Sequence, residues 1–455
     1  MEKLMAYLNS HRSEHLEELK AFLRIPSIST LSAYQPEIQR AAEWTADALR
    51  KAGLEQVRCI PTGGNPVVYG EWLQAPGKPT VLIYGHYDVQ PADPLELWDT
   101  PPFEPTERDG KLYARGATDD KGQLFLHLKV LEAMLHTYGQ LPVNVKVCIE
   151  GEEEITSPHF PAFLREHEEL LRADVCVISD TALHAKGQPT LLYGLRGACG
   201  LQIDVQGTSG DLHSGVYGGG VPNAVHALVE ILASMHDSDG RVTVAGFYDK
   251  VPELTPAERE AFAALGHDEE ALCEELGVSS LFGEKGYSFL ERTWVRPTLE
   301  ISGVQGGFTG EGVKPIVPSR ATARIACRLV GDQDPDEIMD MIEQHVHRVA
   351  PTGVQVQVTK LIRGNPCVFP LDHPAFQAAA EAYSHAYGVK PVLTRSGGSI
   401  PIVDMLYRTF GLPVLLMGFG LPDENYHAPN EHFHLENYDK GLQTLSYLYM
   451  RLGDG

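Results

Sequence analysis

Basic charge is what this chain of 455 residues is shortest of: 37 Lys and Arg stand against 61 Asp and Glu, a net charge of −24. Such a surface repels phosphate backbones and anionic lipid, which argues against nucleic acid and membrane as partners. Cysteine is sparse as well. The seven, at 59, 148, 176, 199, 273, 327 and 367, are odd in number, include no C-x-x-C pair and mostly sit in apolar strand-like runs. They read as reduced core residues. Residues 1–25 are charged throughout with no signal-peptide apolar block, and no later stretch has the length of a membrane-spanning helix, so a cytoplasmic protein is expected. There is no N-x-S/T sequon, low-complexity tract or solenoid period.

Motifs of several enzyme classes are missing too. No G-x-S-x-G elbow appears, and the apolar setting of the cysteines speaks against an activated thiol, so a serine or cysteine hydrolase is disfavoured. Gly218-Gly219-Gly220 is not followed by the lysine of a phosphate loop. Asp237-Ser238-Asp239-Gly240 lacks the remaining ligands of a calcium loop and reads as a turn.

What is present is an ordinary globular composition, 43% hydrophobic and 22% charged, in a chain long enough for two domains. The run from Thr80 to Tyr84 predicts a strand buried on both faces, with His86 and Asp88 at its C-terminal end. Val143 to Ile149 alternates as a strand and leads into Glu150-Gly151-Glu152-Glu153-Glu154; Val175 to Ile178 leads into Ser179-Asp180; Val414 to Met417 leads into a loop that reaches His427 and Glu431. Helices are expected over residues 36–52, with Ile38, Ala42, Thr45 and Leu49 on the buried stripe, and from Gln123, with Leu124, Leu128, Leu131 and Leu135. Alternating strands and helices imply a largely parallel sheet, with the chemistry at its carboxyl end.

The middle of the chain reads β-α-β-β-α-β, the ferredoxin-like pattern, interrupted by a helical insertion over residues 251–290. The expected organisation is therefore α/β: a larger domain made of residues 1–197 and 368–455, with a small domain of residues 198–367 inserted.

His86, Asp88, Asp119, Glu153, Glu154, Asp180 and His427 are the candidates at one sheet end. So many carboxylates in one crevice require a cation. Lys121 and Arg115 are close in sequence and could serve in part, but divalent metal ions are the better answer. Two histidines and three carboxylates suit a pair of borderline ions such as zinc, manganese or cobalt, roughly 3.5–4 Å apart.

Gly85-His86-Tyr87-Asp88-Val89-Gln90-Pro91, Arg115 to Gly122, Glu150 to Glu154 and Ile178-Ser179-Asp180 resemble the catalytic-domain signatures of the di-metal metallopeptidases, the family of carnosinase-like cytosolic dipeptidases, glutamate carboxypeptidases and aminoacylases. Tyr193 to Gly197, Asp211 to Gly219 and Gly397 to Pro401 are similar to further stretches of the dipeptidase branch. The resemblance implies that His86 and Asp180 bind one ion, Glu154 and His427 the other, and that Asp119 bridges them. It implies a cis peptide between Asp119 and Asp120, Asp88 orienting His86, and Glu153 as general base. It also implies a small peptide substrate bound by His213, Arg328, Gly398 and Ser399, and a homodimer formed through the inserted domain, which would serve as lid and dimerisation unit.

Two residues depart from the dipeptidase pattern. Ser396 stands where that branch has a glutamate, and Pro315 where it has a threonine; both bear on substrate choice. The expected activity is metal-dependent hydrolysis of dipeptides or small peptides with a free C-terminal carboxylate. The alternatives are an N-acyl amino acid amidohydrolase or broader carboxypeptidase, and a catalytically silent metal-binding homologue.

Overall fold

The structure, a computed structural model, describes residues 1–398 and 401–454. Two compact units divide them: residues 1–193, 369–394 and 401 onward form the first, and residues 194–368 with 395–398 belong to the second.

In chain order, the elements of the two units include helix Gln35–Ala52 (α1), strands Glu55–Ile60 (β1), Val67–Trp72 (β2) and Thr80–His86 (β3), helix Lys121–Tyr138 (α2), and strands Asn144–Glu150 (β4), Val175–Ile178 (β5) and Thr190–Leu195 (β6). The second unit contributes strand Gly197–Gln206 (β7), helix Ala224–Ala233 (α3), strands Thr298–Gly306 (β8) and Arg320–Leu329 (β9), helix Pro335–Val349 (α4) and strand Gln355–Gly364 (β10). Strand Val414–Leu416 (β11) and helix Leu435–Asp454 (α5) close the chain.

Seven strands of the first unit's large sheet run in the order β1-β2-β4-β3-β5-β11-β6. Its middle is parallel: β4, β3, β5 and β11 all point the same way. Its flanks are not. β1 and β2 pair antiparallel with each other, β2 pairs antiparallel with β4, and β6 with β11. The sheet is mixed rather than largely parallel, because a short connection such as the one from β1 to β2 turns the chain back on itself, whereas only a crossover brings it round in the same direction. The four parallel strands bury nearly every residue, as expected for a sheet covered on both faces.

Helix α1 packs on β2, burying Ile38, Ala42, Thr45 and Leu49, and stops at Gly53, whose φ of 94° is the left-handed conformation that glycine adopts without a Cβ clash. Helix α2 is buried at every position from Lys121 to Leu131, packed among β3, α1 and α5. That exceeds what a single leucine stripe indicates, and it fixes the helix N-terminus in place.

In the second unit, β8-β9-β7-β10 form an antiparallel sheet, and α3 and α4 pack against it. Leu201, Ile203 and Val205 of β7 and Ala321, Ala323 and Ile325 of β9 face Leu228 and Ile231 of α3 and Ile338 and Ile342 of α4 in one apolar core. Helices Pro256–Ala263, Glu269–Leu276 and Phe289–Trp294 interrupt the strand-helix alternation between α3 and β8.

Candidate metal centre

The four parallel strands end side by side, and each end hands over a functional group. His86 is the last residue of β3, fully buried. Asp180 lies two residues past β5, and Glu153 and Glu154 form a short turn just past β4. His427 sits in the loop after β11, its backbone held at φ 57°, a conformation that non-glycine residues adopt rarely and mainly where surroundings impose it. Asp119 comes from elsewhere: it precedes Asp120, the N-cap of α2, and the peptide bond between the two is cis.

Asp119 lies between the two imidazoles. Its Oδ1 is 3.3 Å from His86 Nε2 and its Oδ2 is 2.9 Å from His427 Nε2. His86 Nε2 is also 3.7 Å from Asp180 Oδ2, and His427 Nε2 is 3.2 Å from Glu154 Oε2. Two donor trios result, His86–Asp119–Asp180 and Asp119–Glu154–His427, with Asp119 common to both.

A frame of hydrogen bonds holds these groups. Asp88, fully buried, receives the amide hydrogens of Glu153 at 3.3 Å and Glu154 at 3.1 Å, one on each carboxylate oxygen, while its Oδ1 lies 3.3 Å from His86 Nδ1. It ties the end of β3 to the turn after β4. Glu431 does the same for Asp119: Oε1 accepts from the amides of Thr118 and Asp119, and Oε2 from the amide of Gly116 and from Arg115 Nη1 at 2.6 Å. Thr118 donates its hydroxyl to Glu424 at 2.6 Å, and Gln90 donates to Glu154 Oε2 at 2.9 Å. Glu152, by contrast, is occupied with the Asn65 amide and His159 and has no part in the cluster.

The crevice is short of positive charge. Lys121 donates to the carbonyls of Phe22 and Ile25, and Arg115 is paired with Glu431, so neither of the cations nearby in sequence neutralises the cluster. Burial would lower the pKa of His86, yet Asp119, Asp180 and Asp88 outweigh it and hold the ring well above its usual range. Hydrogen bonds that the ring donates to Asp119 and Glu154 push His427 up to about 10. Burial, reinforced by neighbouring carboxylates, pushes Asp180 up to about 6. Burial likewise raises Glu153 to about 8, with His86 pulling the other way and Asp180, Glu154 and Asp119 adding to the rise. His86 Nε2 is buried with no hydrogen-bond partner although it faces two carboxylates. An imidazole nitrogen without a partner, carboxylates without cations and a carboxylate shared by two trios all fit a pair of divalent ions.

The sequence profile of peptidase family M20/M25/M40 matches residues 82–451. The chain belongs to this family. Among curated proteins, this M20 chain is 31% identical to the Cys-Gly metallodipeptidase dug1 of Schizosaccharomyces pombe over 97% of its own length and 96% of that protein. It is 30% identical to the human Beta-Ala-His dipeptidase over 99% of its length and 92% of that protein. Among solved structures, human carnosine dipeptidase 1 superposes with a TM-score of 0.79 at 30% identity, covering 100% of this chain and 99% of that one. The M20 family metallo-carboxypeptidase Sso-CP2 from Sulfolobus solfataricus superposes with a TM-score of 0.83 at 32% identity, covering 96% and 99%. As an M20 member the protein is a hydrolase of the metallopeptidase class.

The remaining residues singled out in this M20 sequence lie in the second unit or outside the described residues. His213, exposed, pairs with Ile316 across a two-residue ladder and accepts the amide hydrogen of Gly215 on Nδ1. Arg328, also exposed, is at the end of β9 and lines a cavity of about 340 Å³ together with Arg196, Arg292, Arg296 and Glu300. The amide of Gly398 donates to Ser396 Oγ at 3.1 Å. Ser399 lies outside the described residues.

Sequence reasoning passed over Glu424 and Glu431, which position Thr118 and Asp119. Glu431 had one visible signal, its place in a polar loop that also holds His427. Its partners are mostly backbone amides, which no residue type announces.

Proposed function

We propose that the chain is a dinuclear metal-dependent dipeptidase, cleaving the amide bond of dipeptides or similar small peptides that carry a free C-terminal carboxylate. The observation that carries this reading is Asp119, whose two oxygens face the imidazoles of two separate donor trios. His86 and Asp180 would hold one ion, Glu154 and His427 the other, with Asp119 between them. Zinc suits the donor set best, with manganese and cobalt as alternatives. Bound there, such ions supply the positive charge that polarises a carbonyl and acidifies water.

The protein's own groups do the rest. Glu153, beside the trios on the same turn as Glu154, is placed to take a proton from the attacking water and deliver it to the leaving amine. Asp88 fixes the ring plane of His86 and the backbone of Glu153 and Glu154 at once. Arg328 suits a substrate carboxylate, its planar fork being made for bidentate pairing, and His213 suits a scissile carbonyl. Gly398 and Ser399 are assigned to the substrate pocket on the resemblance alone. In this reading the second unit is an inserted domain whose β-α-β-β-α-β order supports a ferredoxin-like fold, and the resemblance to the dipeptidases makes it the lid and the surface of a homodimer. A cytoplasmic setting fits the free cysteines, of which five are buried. Among the described residues, no helix is long and apolar enough to cross a membrane.

A broader carboxypeptidase or N-acyl amino acid amidohydrolase is the second reading. It is favoured by Ser396, a hydroxyl taken up by the Gly398 amide where a carboxylate would recognise a free amine, and by the likeness to Sso-CP2. Hydrolysis of free dipeptides, their N-acetylated forms and a tripeptide by metal-stripped protein with zinc or manganese restored separates the two, with Glu153→Gln as the blank. Cleavage of free dipeptides alone is the expected result. Preference for acetylated substrates supports the second reading, and no metal-dependent turnover above the blank refutes both.

A further inference from the structure

Another set of metal-type donors lies away from the two trios. His432 and His434 are two residues apart on the strand His432–His434, so their side chains share one face, with ring centroids 5.3 Å apart. Asp423 Oδ2 is 3.4 Å from His434 Nε2, and one donor atom from each of the three residues lies within 4.8 Å of the other two.

The decisive residue is His432. It is only 4% exposed, and its Nδ1 lies 3.0 Å from the carbonyl oxygen of Asn430. A carbonyl can only accept, so the ring proton belongs on Nδ1 and the Nε2 lone pair is free. That Nε2 is buried with no hydrogen-bond partner. Leaving a buried acceptor unmet is unfavourable, and a histidine whose far nitrogen is fixed by a carbonyl is the usual arrangement of a metal ligand. Asp423 is exposed, which gives an ion access and leaves coordination positions for water.

We propose that Asp423, His432 and His434 form an additional divalent-cation site, distinct from the catalytic pair. Two imidazoles and one carboxylate with open positions suit zinc or another borderline ion. Lys111 is the built-in competitor: its Nζ lies 3.5 Å from Asp423 Oδ2, and an incoming cation displaces it. Because Glu424, His427 and Glu431 all lie between Asp423 and His432, an ion here fastens both ends of the segment that carries a catalytic-centre imidazole.

The test is zinc stoichiometry of the metal-stripped full chain after equilibrium dialysis, with thermal unfolding of the zinc-free proteins to show that each variant folds. Wild type is expected to hold one more zinc per chain than Asp423→Asn or His434→Gln. Asp119→Ala, which disables the shared ligand of the other centre, should still hold one. Lys111→Met should bind that ion more tightly. If Asp423→Asn and His434→Gln bind as much zinc as wild type, or if Asp119→Ala binds none, the proposal is overturned.

Discussion

Arg115 and Glu431 form a 2.6 Å ion pair in which both side chains are sealed from solvent, at 1% and 0% exposure. Burial pushes the Glu431 carboxyl up to about 7, while Arg115 and the amides of Thr118 and Gly116 pull it back. Since every hydrogen bond described above is donated to this carboxyl, the ionised form is the one the geometry accommodates. The pair therefore acts as a clamp on the backbone that presents Asp119.

Arg115→Met leaves that carboxylate buried without its cation. Removal of one partner from a buried pair costs about 3–5 kcal/mol. Urea unfolding should show a loss of that size, and metal retention at the centre should weaken along with it. An unchanged midpoint would mean that the amide donors alone suffice.

Asp119 and His427 should differ in what they take with them. Asp119→Ala removes a donor common to both trios and, if the proposed dinuclear reading holds, should abolish retention of both ions. His427→Ala touches one trio and should spare the ion proposed at His86 and Asp180. Metal analysis after gel filtration, in a background of Asp423→Asn, reads the difference, and equal losses in the two variants would contradict a shared Asp119.

Gly151 stands between the buried end of β4 and the turn of Glu153 and Glu154, and a Cβ there would press into the ring of Tyr87. Tyr87 cannot swing aside, being buried with its hydroxyl donated to the Pro66 carbonyl at 2.6 Å. Gly151→Ala is expected to cost about 1–3 kcal/mol through overpacking and to displace the turn. The resulting fall in kcat should exceed any change in KM, which steady-state kinetics on one dipeptide will show.

His15 provides a pH signature remote from the metals. It is buried, neither ring nitrogen has a hydrogen-bond partner, and burial assisted by Lys129 pushes its pKa down to about 4. In the unfolded chain the same ring takes its proton near about 6.5. Between those values the unfolded state binds more protons, so stability declines as pH falls through this window. His15→Leu should flatten that decline, visible as a smaller drop in the urea midpoint from about pH 7 to about pH 5. An identical slope in both proteins would place the acid sensitivity elsewhere.

Legibility in the sequence varied with the kind of physics involved. Helix α1 is readable because Ile38, Ala42, Thr45 and Leu49 recur on one face and Gly53 ends them, and β3 because five consecutive residues from Thr80 suit a strand. Strand direction is another matter. β2 and β4 look alike as residue strings, and only the route of the connections makes them antiparallel. The acid and imidazole groups that meet at the centre are visible because their chemistry is unusual next to apolar strands. Glu431 and Glu424 are not, since what they hold is mostly main chain and hydroxyl, and Lys121, which looks like a counter-ion in sequence, spends its charge on two carbonyls of a preceding segment.

The placement of Asp119 at the head of a helix buried on nearly all sides has a consequence for assembly. His86 and His427 stand far apart in sequence, and the residue between them precedes a helix that α1, β3, α5 and the helices Glu2–Ser10 and Arg12–Leu23 enclose, α5 following every donor of the two trios in sequence. A chain truncated before α5 keeps all five donors of the two trios and is expected to lose their alignment. High-affinity retention of two ions is thus a report that the whole of the first unit has closed, and it should appear in one step with native tertiary structure during refolding rather than build up ligand by ligand.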